Sequence, residues 1–236
     1  MRKTILITGA SKGIGAALAC VSAKQGFNIV INYHNSETEA KNLKTLLEEK
    51  YSVKVLAIKA DVTQEAEVKY LIDKTVEELG KIDILVNNAA LAIDNPFKDK
   101  TISEFVKVLE VNVGGPFLVT KYASFYMKKG VILNISSTDA VDTFNELSMD
   151  YCASKSALNN LTKTFALALP EIKVIAVMLP WTNTEAIKEM DPIYLKKELK
   201  RIGQKRLIEP SEVALKLFDI IQDGKLESGK ILKVEL

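Results

Sequence analysis

The chain has 236 residues, of which 47% are hydrophobic, enough to bury the core of one large α/β domain. Lys+Arg 32 against Asp+Glu 30 leave a net charge of +2, which gives no overall electrostatic case for nucleic acid or an anionic membrane surface. Cys20 and Cys152 lie far apart with no C-x-x-C spacing, so neither a disulfide framework nor a metal site is indicated, and no apolar run is long enough for a signal peptide or a bilayer span; the expectation is a cytoplasmic protein.

The apolar run Thr4-Ile5-Leu6-Ile7 reads as a first strand, followed by a glycine turn from Thr8 to Gly15 and a helix over about 13–25 stopped near Gly26. A second strand follows at Asn28–Asn32, a charged amphipathic helix over about 37–50, a third strand at Val53–Ile58 and a helix over about 64–79 closed by Gly80. Ile82–Asn87 is the fourth strand, two helices occupy about 101–111 and 113–128, and Val131–Ser136 is the fifth. A helix near 151–169, a strand Ile172–Met178, a long excursion to about 206, a helix over about 210–222 and a last strand Lys230–Val234 complete the chain. Apolar strands alternating with amphipathic helices predict a single-domain, doubly wound parallel sheet of about seven strands with helices on both faces. Ligands of such sheets bind beyond the carboxyl ends of the strands, and the unusual residues of this sequence cluster there.

The glycine turn contains Gly9, Ser11, Lys12, Gly13, Ile14 and Gly15 in a G-x-x-x-G-x-G spacing. It brings the backbone close to a phosphate and aims helix-start amides at a dinucleotide pyrophosphate. Tyr151 and Lys155 are four apart, hence on one helix face. A phenol near pKa 10 is a poor base at neutral pH, and a nearby ammonium stabilises the phenolate. Ser137, at a strand end, can hydrogen-bond the same substrate oxygen, and Asn112 supports the group. Hydride transfer needs a nicotinamide, because no side chain supplies a hydride.

Taken together, the turn TGASKGIG at Thr8 to Gly15, Asp61-Val62, Asn87-Asn88-Ala89, Asn112, Asn134-Ile135-Ser136-Ser137 and Tyr151/Lys155 resemble the short-chain dehydrogenase/reductase family over nearly the whole chain. The pattern looks most like its 3-oxoacyl-[acyl-carrier-protein] reductase branch. The resemblance implies Tyr151 as general acid/base and Ser137 as the group that positions the substrate oxygen. It implies Lys155 on the nicotinamide ribose, and Asn112 in a water-mediated proton relay. It places Asp61 and Val62 at the adenine and Asn88, Ala89 and Ala90 beside the cofactor, with Pro180, Thr182 and Thr184 following the sixth strand, Thr184 at the carboxamide. It also implies a homodimer or homotetramer. Two departures stand out: Ala90 where the family commonly has glycine, and Leu179-Pro180 where it usually has Pro-Gly.

Asn32-Tyr33-His34-Asn35-Ser36 carries no carboxylate to bind a ribose 2′-hydroxyl. With Lys12 and Ser36 able to accommodate a 2′-phosphate, the expected cofactor is NADP(H), with NAD(H) as the alternative. Residues 181–206 form the expected substrate lid, with Ile187, Met190, Ile193, Leu195, Leu199 and Ile202 as its apolar face and a basic second half read as a solvated surface. The expected activity is an NADP(H)-dependent carbonyl reductase or alcohol dehydrogenase, acting on a small-molecule carbonyl or alcohol that includes carrier- or CoA-linked 3-oxoacyl thioesters. The rivals are an NAD(H)-dependent sugar or steroid-type alcohol dehydrogenase and a non-catalytic cofactor-binding sensor.

Overall fold

The computed structural model describes residues 2–234. Its seven strands are β1 (Thr4–Ile7), β2 (Asn28–Tyr33), β3 (Val55–Lys59), β4 (Ile84–Asn87), β5 (Gly130–Ser137), β6 (Ile172–Leu179) and β7 (Ile231–Lys233). They form one sheet in the order β3-β2-β1-β4-β5-β6-β7, every neighbouring pair parallel.

Side chains alternate across the sheet, so each strand feeds two cores. Ile5 and Ile7 of β1 pack under α1 (Gly13–Lys24), α2 (Glu37–Tyr51) and α9 (Pro210–Gln222). Leu6 packs on the other side, with α3 (Glu65–Leu79), α5 (Gly115–Ser124) and the later part of α6 (Met149–Ala168). The chain winds outward through β2 and β3, then returns to place β4 against the other side of β1. That reversal opens a crevice at the carboxyl ends of β1 and β4.

The sequence reading differs from the structure mainly at element boundaries. β4 begins at Ile84, and Asp83 just before it accepts from the Thr4 amide through its carboxylate at 2.8 Å. The two helices expected over 101–128 are one continuous helical run. α4 (Ile102–Leu109), started by a Thr101/Glu104 capping box, passes through a π-helical turn at Glu110–Gly114 into α5. The excursion after β6 contains two helices, α7 (Glu185–Lys188) and α8 (Pro192–Arg201). The last strand ends at Lys233, and Glu235 and Leu236 of the expected C-terminal stretch lie outside the described residues. Among the described residues no helix is long and apolar enough to cross a membrane, and no cluster of His, Cys, Asp and Glu could hold a metal.

Candidate active site

The glycine turn is held open by its own backbone conformation. Gly9 sits at φ +60°, and a Cβ there would meet the Cα of Ala89 at 2.9 Å. A side chain would therefore be both strained and obstructed. Thr8 ties the turn to β4, since its hydroxyl accepts from the amides of Asn88 and Ala89, both at 3.0 Å. Asn88 answers with its amide group on the carbonyls of Thr8 and Gly9 at 2.9 and 3.1 Å. Gly13, at φ +55°, faces the segment before α7, where a Cβ would lie 3.4 Å from Cγ2 of Thr184. The structure thus brings Gly9, Gly13, Asn88, Ala89 and Thr184 to one crevice. Among the described residues, the amides of Ser11, Lys12, Gly13 and Ile14 donate to no protein acceptor. These orphaned donors at the start of a helix that Gly15 continues, behind a backbone that admits no Cβ, fit a dinucleotide pyrophosphate.

Other residues of the cofactor expectation serve the fold as well. Asn32 is buried, its Nδ2 donating to Ala60 O at 2.9 Å and its Oδ1 accepting from the Gly9 amide at 3.2 Å. It shapes the turn from beneath rather than offering its amide to a ligand. Asp61 accepts from the amide and hydroxyl of Thr63 at 2.9 and 2.8 Å and stands 3.8 Å from exposed His34. Val62 is buried against Gly115, and Ala90 is exposed. Ser36 begins α2 without a side-chain cap bond. Lys12 is already engaged: its ammonium lies 2.9 Å from Glu39 of α2, a partner twenty-seven residues on that no local pattern announces.

Tyr151, Ser137 and Lys155 converge at the end of β5. Lys155 is 2% exposed, donates to Ile135 O at 2.7 Å, and sits 5.3 Å from the centroid of the Tyr151 ring. Burial pushes its ammonium down to about 8. The half-buried Tyr151 phenol is pushed up, first by burial and then by the Asp139 carboxylate, while a hydrogen bond with Ser137 acts the other way. Ser137 Oγ accepts from the Asp139 amide at 3.1 Å.

Asn112 lies in the π-helical turn, fully buried, a distortion frequent at functional sites. Its Oδ1 accepts from the Leu91 amide at 2.7 Å, and its Nδ2 donates to Leu91 O at 2.8 Å and Ser154 Oγ at 3.0 Å. It therefore clamps the loop after β4 to the helix that carries Tyr151 and Lys155. Beneath it, Asn87 donates to Asn134 Oδ1 at 2.8 Å and Asn134 to Thr162 Oγ1 at 2.8 Å, a buried polar ladder joining β4, β5 and α6.

The departure at Leu179-Pro180 costs no ladder bond, because β6 ends at Leu179. The Pro180 carbonyl accepts from Thr182 Oγ1 at 3.0 Å, while Gln204 takes the Trp181 amide at 3.0 Å and donates to its carbonyl at 2.7 Å. Thr184 begins α7. In the segment expected to form the lid, Ile187, Met190, Leu195, Leu199 and Ile202 are half-buried, but Ile193 is 81% exposed. Buried Glu198 takes part in the inward face instead, paired with Arg201 at 2.7 Å. Lys196, Lys197, Lys200 and Lys205 are exposed.

Sequence reasoning missed a second support. Lys100 and Asp150, with side chains 3% and 0% exposed, form an ion pair at 2.8 Å. Lys100 also donates to Ile93 O at 2.6 Å, and Asp150 accepts from the Tyr151 amide at 2.9 Å. The pair fastens the loop after β4 to the residue preceding Tyr151. Two charges fifty residues apart give no local signal.

A profile described as short chain dehydrogenase matches residues 3–193. The chain belongs to the short-chain dehydrogenase family. A 3-oxoacyl-[acyl-carrier-protein] reductase of Staphylococcus epidermidis is 32% identical over 240 residues, covering 99% of this chain and 98% of that protein. The structure of a Sinorhizobium meliloti dehydrogenase/reductase superposes with a TM-score of 0.91 at 32% identity, covering 98% of this chain and 93% of the other. A blue fluorescent protein from a metagenomic library, solved in complex with NADPH, gives a TM-score of 0.89 at 28% identity, with 99% and 96% of the two chains covered. As a short-chain dehydrogenase, this protein is an oxidoreductase of CH–OH and C=O groups built around a nicotinamide cofactor.

Proposed function

We propose that this short-chain dehydrogenase is an NADP(H)-dependent reductase of small carbonyl compounds, or the corresponding alcohol dehydrogenase, working at the crevice between the glycine turn and Tyr151. The observation that carries the reading is the convergence of Tyr151, Ser137 and Lys155 beside a helix start with unsatisfied amides. The bound nicotinamide would supply or accept the hydride. Tyr151 transfers the proton at the substrate oxygen, and Ser137 holds that oxygen with its hydroxyl, whose acceptor side is already taken by the Asp139 amide. Lys155 places a cation at the Tyr151 ring, favouring the phenolate when the proton leaves. Asn112 and the Lys100–Asp150 pair keep this helix in register with the loop after β4.

Lys12 supports the preference for NADP(H), as the cation of the glycine turn. Its pairing with Glu39 favours the NAD(H) alternative and makes the choice a matter of competition between that carboxylate and a 2′-phosphate. A 3-oxoacyl thioester, the substrate type named for the Staphylococcus relative, and a hydroxylated sugar-type substrate are the two substrate classes to separate. The reading also takes the protein as a homo-oligomer of the cytoplasm. The deciding experiment follows NADPH oxidation with a broad carbonyl panel for wild type and Tyr151→Phe. Turnover abolished by the substitution is expected. Absence of turnover in both, with cofactor still bound, would establish the sensor reading instead.

A further inference from the structure

Two residues beyond Ser137 stands a carboxylate for which the proton transfer has no use. Asp139 is 5% exposed, in the short 3-10 turn Thr138–Ala140 that follows β5. Its Oδ1 accepts from the indole N–H of Trp181 at 3.4 Å and from the Thr143 hydroxyl. Its Oδ2 receives no hydrogen bond among the described residues, yet it is not sealed from solvent. Among the described residues no cation forms an ion pair with Asp139. Arg201 of α8 feels its charge, but its guanidinium is held by Glu198 at 2.7 Å and by Phe144 O at 2.7 Å.

A nearly buried charge is costly unless its oxygens are given donors. Here the fold supplies donors to one oxygen and leaves the other without one, in a residue whose amide is hydrogen-bonded to the catalytic serine hydroxyl at 3.1 Å. The surroundings reinforce the sign. Tyr194 of α8, which donates to Asn145 Oδ1 at 3.0 Å, lies within reach of the charges of Glu198, Asp94 and Glu146. The Asp139 carboxylate, whose own amide hydrogen-bonds the catalytic serine and whose Oδ1 takes the Trp181 indole N–H, would repel a carboxylate beside the reacting carbon, and its Oδ2 would accept from a donor placed there.

We propose that Asp139 determines specificity by accepting a hydrogen bond, through Oδ2, from a hydroxyl or ammonium group next to the substrate carbonyl, so that α-hydroxy and α-amino ketones are taken and α-keto acids refused. The inference rests on the reading of Tyr151 and Ser137 as the carbonyl-handling pair and narrows its substrate. The adjacent group is a handle only: the carbonyl carbon receives the hydride, its oxygen receives the Tyr151 proton, and the neighbouring hydroxyl or ammonium is unchanged. A 3-oxoacyl thioester bears no O–H or N–H on either carbon flanking its ketone and offers Asp139 no donor.

The test compares kcat/KM for three small probes, hydroxyacetone, butan-2-one and pyruvate, with NADPH and with NADH, in wild type, Asp139→Asn and Asp139→Leu. NADPH and NADH binding report whether each variant keeps its fold. Hydroxyacetone and butan-2-one differ only by OH against CH3, so their ratio isolates the handle. A hydrogen bond to a charged group predicts a wild-type preference for hydroxyacetone of about ten- to a hundredfold. Asp139→Leu should bring the two ketones to within about threefold, and Asp139→Asn should raise pyruvate relative to both. An unchanged ratio in Asp139→Leu, a uniform fall for all three probes, or turnover of apolar ketones without hydroxyacetone would each overturn the proposal. If no carbonyl of any kind is turned over and Tyr151→Phe matches wild type, the functional reading fails first, and this inference with it.

Discussion

Replacing Lys155 with methionine should change how stability responds to pH. Burial lowers the ammonium from about 10.5 to about 8 in the folded chain, whereas the unfolded chain keeps its proton until about 10.5. Between those values the unfolded state binds the extra proton, so this group makes the protein more stable as pH rises, at about 1.4 kcal/mol per unit once well above 8. From pH 7 to pH 10 the wild type should gain about 2.5 kcal/mol relative to Lys155→Met, which has nothing to titrate there. Tyr151 acts with the opposite sign, its raised phenol costing stability only above about pH 10, and it is common to both proteins. The assay is equilibrium urea unfolding of both proteins at half-unit pH intervals. Parallel curves from pH 7 to 10 would show that Lys155 is not depressed by burial and would undo the argument.

Tyr151→Phe keeps the ring but loses the proton, so steady-state assays should show kcat lower by about 10²–10⁴ with nicotinamide affinity within about twofold of wild type. Glu39→Gln frees Lys12; fluorescence titration should show NADPH bound up to about fivefold more tightly, NADH unchanged, and the gain fading in high salt. Asp150→Ala leaves Lys100 charged and sealed in, and should cost about 3–5 kcal/mol by urea unfolding, while Lys100→Met/Asp150→Leu should recover most of it.

The alternation of apolar strands and amphipathic helices sufficed for the sheet, because in a parallel sheet covered on both faces the pattern of each segment reports its own environment. The glycine turn and the Tyr151/Lys155 pair were equally legible, since a positive φ at Gly9 and a one-turn helical spacing are local facts. What escaped depends on partners distant in the chain. Glu39 meets Lys12 only when α2 packs beside α1, and Lys100 meets Asp150 only when the loop after β4 folds over α6. Asn32 read as a ligand for the cofactor because it ends β2, yet β3 and the turn claim both ends of its amide. Asp139 carried no motif, and its meaning comes from Trp181, forty-two residues on.

Gly13 approaches Thr184 so closely that a Cβ on the glycine would lie 3.4 Å from the threonine methyl, which sets two parts of the molecule side by side. One is the glycine turn at the start of α1; the other is the segment of α7 and α8, the expected lid over the substrate. Since they meet across the width of a methyl group, any displacement of one by its ligand is felt by the other. Thermodynamic reciprocity then requires that the factor by which nicotinamide alters substrate affinity equals the factor by which substrate alters nicotinamide affinity.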